Sequence, residues 1–410
     1  MKTNFKKIIA LTIILTLIPF TLTGCQDAVG IENLAYVTAI GFDIGENNLI
    51  TLTFQFAKLI STDQSGSSQP QSSELISIDC ASFDAGLAIV NSYVSKKVNL
   101  AHCKIIVFSE EFAVNGIATQ INTLTSNIEI RPDCSILISK SDAKEFLKDS
   151  EPTLTNLTPR YYEILLTSRE YTGYSDNAPL WKFFINLRSD STEAIAVLSG
   201  LNASETTKKN KSTNLLDKDV TYTAGETPLT GETLTQDMGI AVFSNDKMVG
   251  ELNAIECISY LILTNTLETC NLSIPDPFQN NSTINIRLEL REKTDNKVYL
   301  SNGSPYIRSQ IQLDGSITSI NLNSDYSKID HLRTIEEYAE SYIKSHINTF
   351  LYKTSKYFKS DIVGFGKEII HNYLTTNDWK NVKWQSLYKN SFFDVDVDVT
   401  IKSGSLFVKN

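Results

Sequence analysis

Only one long stretch of this chain is apolar enough to leave water, and it is too short to cross a bilayer. From Ile8 to Phe20 the sequence carries no charge and is apolar apart from Thr12, Thr16 and Pro19, behind a positive start of Lys2, Lys6 and Lys7. A membrane-spanning helix needs about 20 apolar residues, whereas the hydrophobic part of a secretory signal needs only about 7–15. The next apolar run of any note, Ile255 to Leu263, is shorter still and is broken by Glu256. Everything beyond the N-terminal segment is therefore expected to fold as a water-facing body around its own core.

The order Leu22-Thr23-Gly24-Cys25 closes that segment. Small residues before a cysteine admit the backbone to a peptidase. The thiol at the new N-terminus is then the nucleophile that accepts a diacylglyceryl group. The sequence predicts cleavage before Cys25, with lipid on Cys25 as the site of attachment to a membrane and residues 1–24 as the signal peptide. One acyl chain holds only reversibly at about 0.8 kcal/mol per buried methylene, so the two or three chains of a lipidated cysteine are what make such an anchor lasting.

The body beyond Cys25 holds most of the 410 residues, more than one ordinary core, which suggests two or three domains. With 41% hydrophobic and 20% charged residues it is too apolar for disorder. The net charge of −10 argues against nucleic acid as a partner and against adhesion to anionic lipid by charge. Of six cysteines, five remain after Cys25: Cys80, Cys103, Cys134, Cys257 and Cys270. The odd number leaves at least one unpaired within the chain, and none is spaced as CxxC. Buried small hydrophobes are the expected role for most of them, with a Cys257–Cys270 bridge open.

The pattern along the chain mixes both periods. Residues 33–59 read as a hairpin turning at Glu46-Asn47-Asn48, and Ser61 to Ser73 as a flexible Ser/Gln/Gly loop. Ser82 to Val94 and Glu110 to Leu124 read as helices. Lys104 to Phe108 and Cys134 to Ser139 read as strands, and Asp142 to Leu147 as a short helix. Asn202 to Gln236 is rich in Ser, Thr, Lys and Gly and reads as a linker. After it come a hairpin (Met238 to Phe243 with Lys247 to Leu252), a helix (Glu256 to Asn265) and three strands of one sheet (Asn285 to Leu290, Lys297 to Leu300, Ser309 to Leu313). Thr334 to Phe358 carries apolar residues at three- and four-residue steps, an amphipathic helix facing its own core, with Asp330 as its cap. Phe393, Val395, Val397, Val399 and Ile401 alternate with Asp394, Asp396, Asp398 and Thr400, a closing strand with one wet face. No regular βαβ repeat is visible, so the predicted fold class is α+β, multi-domain, with mixed or antiparallel sheets flanked by helices.

A search for chemistry returns little. Asp394-x-Asp396-x-Asp398 imitates a calcium loop, but the places for glycine and glutamate hold Val399 and Ser405. The four histidines, His102, His331, His346 and His371, form no HxxxH or HExxH pair. His102 and Cys103 are adjacent, and on a strand they point to opposite faces. Glu110-Glu111 and Glu336-Glu337 are ordinary paired carboxylates, and no GxSxG or phosphate-cradling loop occurs. No catalytic residue, metal ligand or cofactor is predicted, which favours a binding or structural role over a cell-envelope hydrolase. The turn Asp361 to Gly366 is expected to need glycine for its backbone angles, a partner contact being the other reading. Trp379 and Trp384 are expected to fill core, with an interface as the alternative.

Taken in order, these segments resemble the Ger(x)C family of spore germination proteins, the lipoprotein C subunits of germinant receptors. The resemblance covers nearly the whole mature chain. It rests on Gly24-Cys25, the opening Glu32-x-Leu34-Ala35-x-Val37-x-Ala39-x-Gly41-x-Asp43, the run Ala101 to Ile117 with Ile128 to Arg131, Gly239 to Phe243 with Lys247 to Leu252, Asp361 to Gly366, Trp379, Trp384 and the closing valines. The chain departs from the family where Gln26-Asp27 stands in place of Trp-Asp, in its long linker and in its five further cysteines.

The resemblance implies domains at 25–201 and 237–405, joined by the linker 202–236, the second open to division at about 325. It implies a non-enzymatic lipoprotein on the outer surface of the spore inner membrane, acting with a multi-spanning A subunit and a transporter-like B subunit in assembly or signal transmission. A lipid-anchored solute-binding protein is the alternative, and would need two α/β lobes around a hinge.

Overall fold

A computed structural model describes residues 30–58, 73–150, 158–202, 221–229, 231, 234–279, 282–319 and 329–402, with Phe5, Lys7 and residues 11–13 near the N-terminus. Cys25 and the cleavage site lie outside the described residues, as do nearly all of the Ser61 to Ser73 segment and residues 203–220 of the 202–236 stretch.

The first half begins with β1 (Leu34–Ile44), β2 (Ile50–Phe56), β3 (Glu74–Cys80), α1 (Phe83–Tyr93), β4 (Lys97–Asn99) and β5 (Ile105–Ser109). It continues with α2 (Glu110–Asn115), α3 (Ala118–Ser126), β6 (Ser135–Ser139), α4 (Ala143–Asp149), α5 (Thr158–Thr167), α6 (Arg169–Thr172), α7 (Leu180–Leu187) and β7 (Ile195–Leu201). Across the 202–236 stretch follow β8 (Thr235–Ser244), β9 (Lys247–Leu252) and α8 (Ala254–Leu263). The second sheet is built from β10 (Cys270–Pro275), β11 (Thr283–Leu290), β12 (Asp295–Ser301) and β13 (Ser304–Ser319), and the chain ends with α9 (Ile329–Tyr352), α10 (Phe365–Ile369), α11 (Thr376–Val382), α12 (Trp384–Tyr388) and β14 (Phe392–Ile401).

The first sheet has nine strands in the order β3-β2-β1-β5-β6-β7-β8-β9, with β4 beside the start of β1. Its four central strands run parallel, and an antiparallel hairpin closes each side. Both faces are covered, which is why Ile105-Ile106-Val107-Phe108 is a continuous apolar run instead of an alternation. Ile106 and Phe108 join one core with Phe42, Phe83 and Phe112, while Ile105 and Val107 join the other with Phe146 and Tyr162. β5, β6 and β7 follow one another as parallel neighbours joined by helices, which corrects the expectation that no βαβ order exists. That order was hidden because β7 and the helices α5 to α7 give no clear period in the sequence. The sheet also runs across the 202–236 stretch, with β7 before it and its neighbours β8 and β9 after it.

Three local expectations change. Glu110 to Leu124 is two helices: Gly116 sits at φ +114, a conformation that breaks the first. Asp330 lies inside the first turn of α9 and is not its cap. The stripe on α9 buries Ile335, Ala339, Ile343, Ile347, Phe350 and Leu351, but a wider π-helical turn over Lys353–Phe358 takes Tyr357 out to solvent, and Tyr338 is half-exposed.

In the second sheet β10 pairs with β11, and β11 and β12 each pair with part of β13, over 313–319 and 304–310. β14 runs parallel to β13 along its other edge. The outer edge of β14 is not left open, because Glu340 and Glu336 of α9 accept hydrogen bonds from the Val399 and Ile401 amides at 3.1 and 2.7 Å. The alternation of the closing strand is as expected: Val395, Val397, Val399 and Ile401 are buried, and Asp396 and Asp398 face water. All ten residues of α8 are buried, so this helix, opened by an Asn253–Glu256 capping box, is the shared core between the two sheets.

Candidate functional site at the junction of the two sheets

The chemistry-bearing groups singled out in the sequence do not converge. Asp394, Asp396 and Asp398 lie on a strand, where Asp394 accepts from Tyr306 and Asp398 pairs with Arg291. His102 and Cys103 lie in the turn before β5 and not on a strand; Cys103 is buried, and His102 packs edge-on against Tyr36 with ring centroids 4.9 Å apart. All five described cysteines are buried free thiols, Cys257 and Cys270 included. Burial raises the pKa of the Cys134 and Cys257 thiols well above the ordinary range and pushes that of Cys270 up to about 12, so these sulfurs stay protonated and poorly nucleophilic.

What does converge is a junction, and the Asp361 to Gly366 turn is its centre. Gly364 holds φ +87, as a glycine-requiring turn should. The larger role belongs to Asp361, which has no exposed surface. Its Oδ1 accepts from the amides of Gly364 at 2.8 Å and Phe365 at 3.1 Å. Its Oδ2 accepts from the Gly366 amide at 2.9 Å and from Trp384 Nε1 at 2.7 Å. Burial pushes its pKa up, and these donors pull it back. Four donors on one carboxylate are what make such deep burial tolerable.

The same residue ties the second half of the chain to the first sheet. The Asp361 carbonyl accepts from the Glu193 amide at 2.9 Å and the Thr192 hydroxyl at 3.3 Å, just before β7. Ser360 donates to the carbonyl of Phe243 on β8 at 2.6 Å. At Gly366 a Cβ would stand 2.5 Å from the Ser191 carbonyl and 2.8 Å from the Trp384 ring, so only glycine permits this approach. Glu193 is 4% exposed and accepts from the Asn245 amide at 2.8 Å. Burial, with the Asp361 charge nearby, raises its pKa from 4.5 to about 7. Trp379 and Trp384 are buried side by side under the turn, their ring centroids 6.1 Å apart.

A second tie lies at the start of α8. Lys353, in the π-helical turn after α9, donates to both oxygens of Glu256 at 2.7 and 2.9 Å and to the Glu251 carbonyl at 3.0 Å. The Phe358 ring covers Gly250, where a Cβ would stand 2.3 Å from it. Neither Glu193 nor Lys353 stood out in the sequence, because each acquires its role only when distant segments meet. The junction places no nucleophile beside a base; it is suited to holding two sheets in a fixed relation.

This geometry defines a two-sheet α+β protein with one fully buried carboxylate at the junction of its sheets. Family models match both halves in order: the spore germination protein N-terminal domain over residues 27–199, and the spore germination B3/GerAC-like C-terminal domain over residues 238–404. The chain is 21% identical to YfkR of Bacillus subtilis (strain 168), named as a spore germination protein, over 98% of this chain and 99% of that one. It is 18% identical to the spore germination protein GerQC of Bacillus cereus, over 77% and 78% of the two chains. Its fold is similar to the crystal structure of the GerBC protein, with a TM-score of 0.50 at 15% identity, covering 89% of this chain and 97% of that one. The chain belongs to the Ger(x)C family of spore germination proteins.

Proposed function

We propose that this chain is the lipoprotein C subunit of a nutrient germinant receptor, held on the outer surface of the spore inner membrane by lipid on Cys25. In this reading it acts without catalysis, beside a multi-spanning A subunit and a transporter-like B subunit, in receptor assembly or signal transmission. The observation that carries the reading is the match of both family domains in order along the chain. Two further features are in keeping with it: among the described residues no helix is long and apolar enough to cross a membrane, and the junction is mechanical in character, with no nucleophile beside a base among the described residues. A lipid-anchored solute-binding protein is supported less, since the second sheet is antiparallel apart from β13 and β14 and does not form a second α/β lobe.

Deleting the gene should weaken germination in response to nutrients while sporulation proceeds normally, in a strain stripped of other receptors of this class. Cys25→Ala should leave a folded body that is released or unprocessed, with the germination response weakened. A mutant that stays on the membrane at wild-type level would mean that partner subunits, and not lipid, are the main attachment. Unaltered nutrient germination in the deletion strain would overturn the proposal.

A further inference from the structure

A cleft of 290 Å³ opens beside the Asp361 turn. One wall is α7, which contributes Lys182 and Asn186; the facing wall is the start of α10, with Lys367 and Glu368; and the end of α8 closes it with Asn265. The cleft is polar, and not all of its polar side chains bond to the protein. Asn265 exchanges hydrogen bonds with the Thr294 amide and carbonyl. Asn186, in contrast, is only 9% exposed, yet its side-chain amide has no hydrogen-bond partner among the described residues. Its polar atoms reach the solvent in the cleft, where a ligand can take the place of water.

The cations point the same way. Lys182 stands 3.5 Å from Asp176, but that buried carboxylate also faces Arg169 at 3.7 Å, so one negative charge serves two positive ones. Lys367 forms no ion pair among the described residues. Partial desolvation lowers the pKa of its ammonium, the Asp361 carboxylate pulls it back up, and the Lys182 ammonium lowers it further. Two ammonium groups facing one cleft repel each other unless an anion sits between them.

We propose that this cleft binds a small carboxylate, held between the Lys182 and Lys367 ammonium groups and the Asn186 amide. Glu368 on the same wall favours a ligand that carries a hydrogen-bond donor, a hydroxyl or an ammonium, beside its carboxylate. Bound there, the ligand joins α7 of the first sheet to α10 of the second half and acts on the junction next to Asp361.

The test is calorimetric titration of the full chain in detergent with L-lactate and, separately, with glycine, at matched ionic strength. Saturable binding of at least one is expected, weakened about tenfold in both Lys367→Gln and Asn186→Ala and retained in Lys367→Arg. Lys367 is exposed at the rim, so its variants should melt with the wild type. No saturable binding of either probe, or unchanged affinity in either weakened variant, would overturn the proposal. The site does not depend on the receptor reading: a germination defect without carboxylate binding leaves that reading standing and removes only the cleft.

Discussion

Two ties hold the segments after α9 to the first sheet and the helix beside it, and they are built on opposite principles. The Asp361 tie is fully buried, saturates a single carboxylate with four donors and tolerates no Cβ at Gly366. The Lys353–Glu256 tie keeps the lysine side chain 30% exposed, so part of its charge is screened. The first fixes a geometry that has no second-best arrangement. The second contributes attraction that water and salt can replace. The two differ in what each can tolerate: the first defines a fixed relation, and the second can yield.

Replacing Asp361 with alanine should have the largest effect. It leaves three backbone amides and the Trp384 Nε1–H buried without an acceptor, and the expected loss is roughly 3–5 kcal/mol, read from the earlier of the variant's denaturant transitions. A loss below about 1 kcal/mol would make the two ties equivalent and end the contrast. Lys353→Met should cost less, about 1–2 kcal/mol, and the wild-type advantage should shrink in molar salt. A salt-independent difference would place this pair with the buried tie instead.

A third expected effect is a pH dependence. In the folded protein the pKa of Glu193 is raised from 4.5 to about 7. Below about pH 4.5 the group is protonated in both states and costs nothing. Between about 4.5 and about 7 the folded chain keeps a proton that the unfolded chain releases, so this contribution to stability falls as pH rises, and above about 7 its full cost is present. Glu193→Gln should therefore stabilise the protein at pH 8 relative to pH 5. Asp237, also raised to about 7 by burial, adds a slope of the same sign that this variant leaves in place. Equal denaturant midpoint differences between variant and wild type at the two pH values would contradict the assignment.

What could be read from the sequence depended on how local the signal was. The β1–β2 hairpin, the β8–β9 hairpin, α9 and β14 each carry their own period and turn, and each lies where those residues put it. β7, at Ile195–Leu201, was missed because a short apolar run with Ser199 and Gly200 in it resembles any buried segment, and the helices α5 to α7 that lead to it are short. Without them the parallel centre of the first sheet was invisible. At the junction, the need for glycine at 364 was legible from the turn. The four donors around Asp361 were not, since Trp384 comes 23 residues later and Glu193 meets the turn from 168 residues earlier. A buried carboxylate looks like any other aspartate until the fold surrounds it.

Scanning calorimetry of the full chain in detergent, wild type against Asp361→Ala, tests most directly whether this carboxylate makes the two sheets one body. The wild type should unfold in a single transition with equal calorimetric and van't Hoff enthalpies, and the variant should split into two, the earlier from the second sheet. Two separate transitions already present in the wild type, or a variant trace that overlays it, would contradict the account.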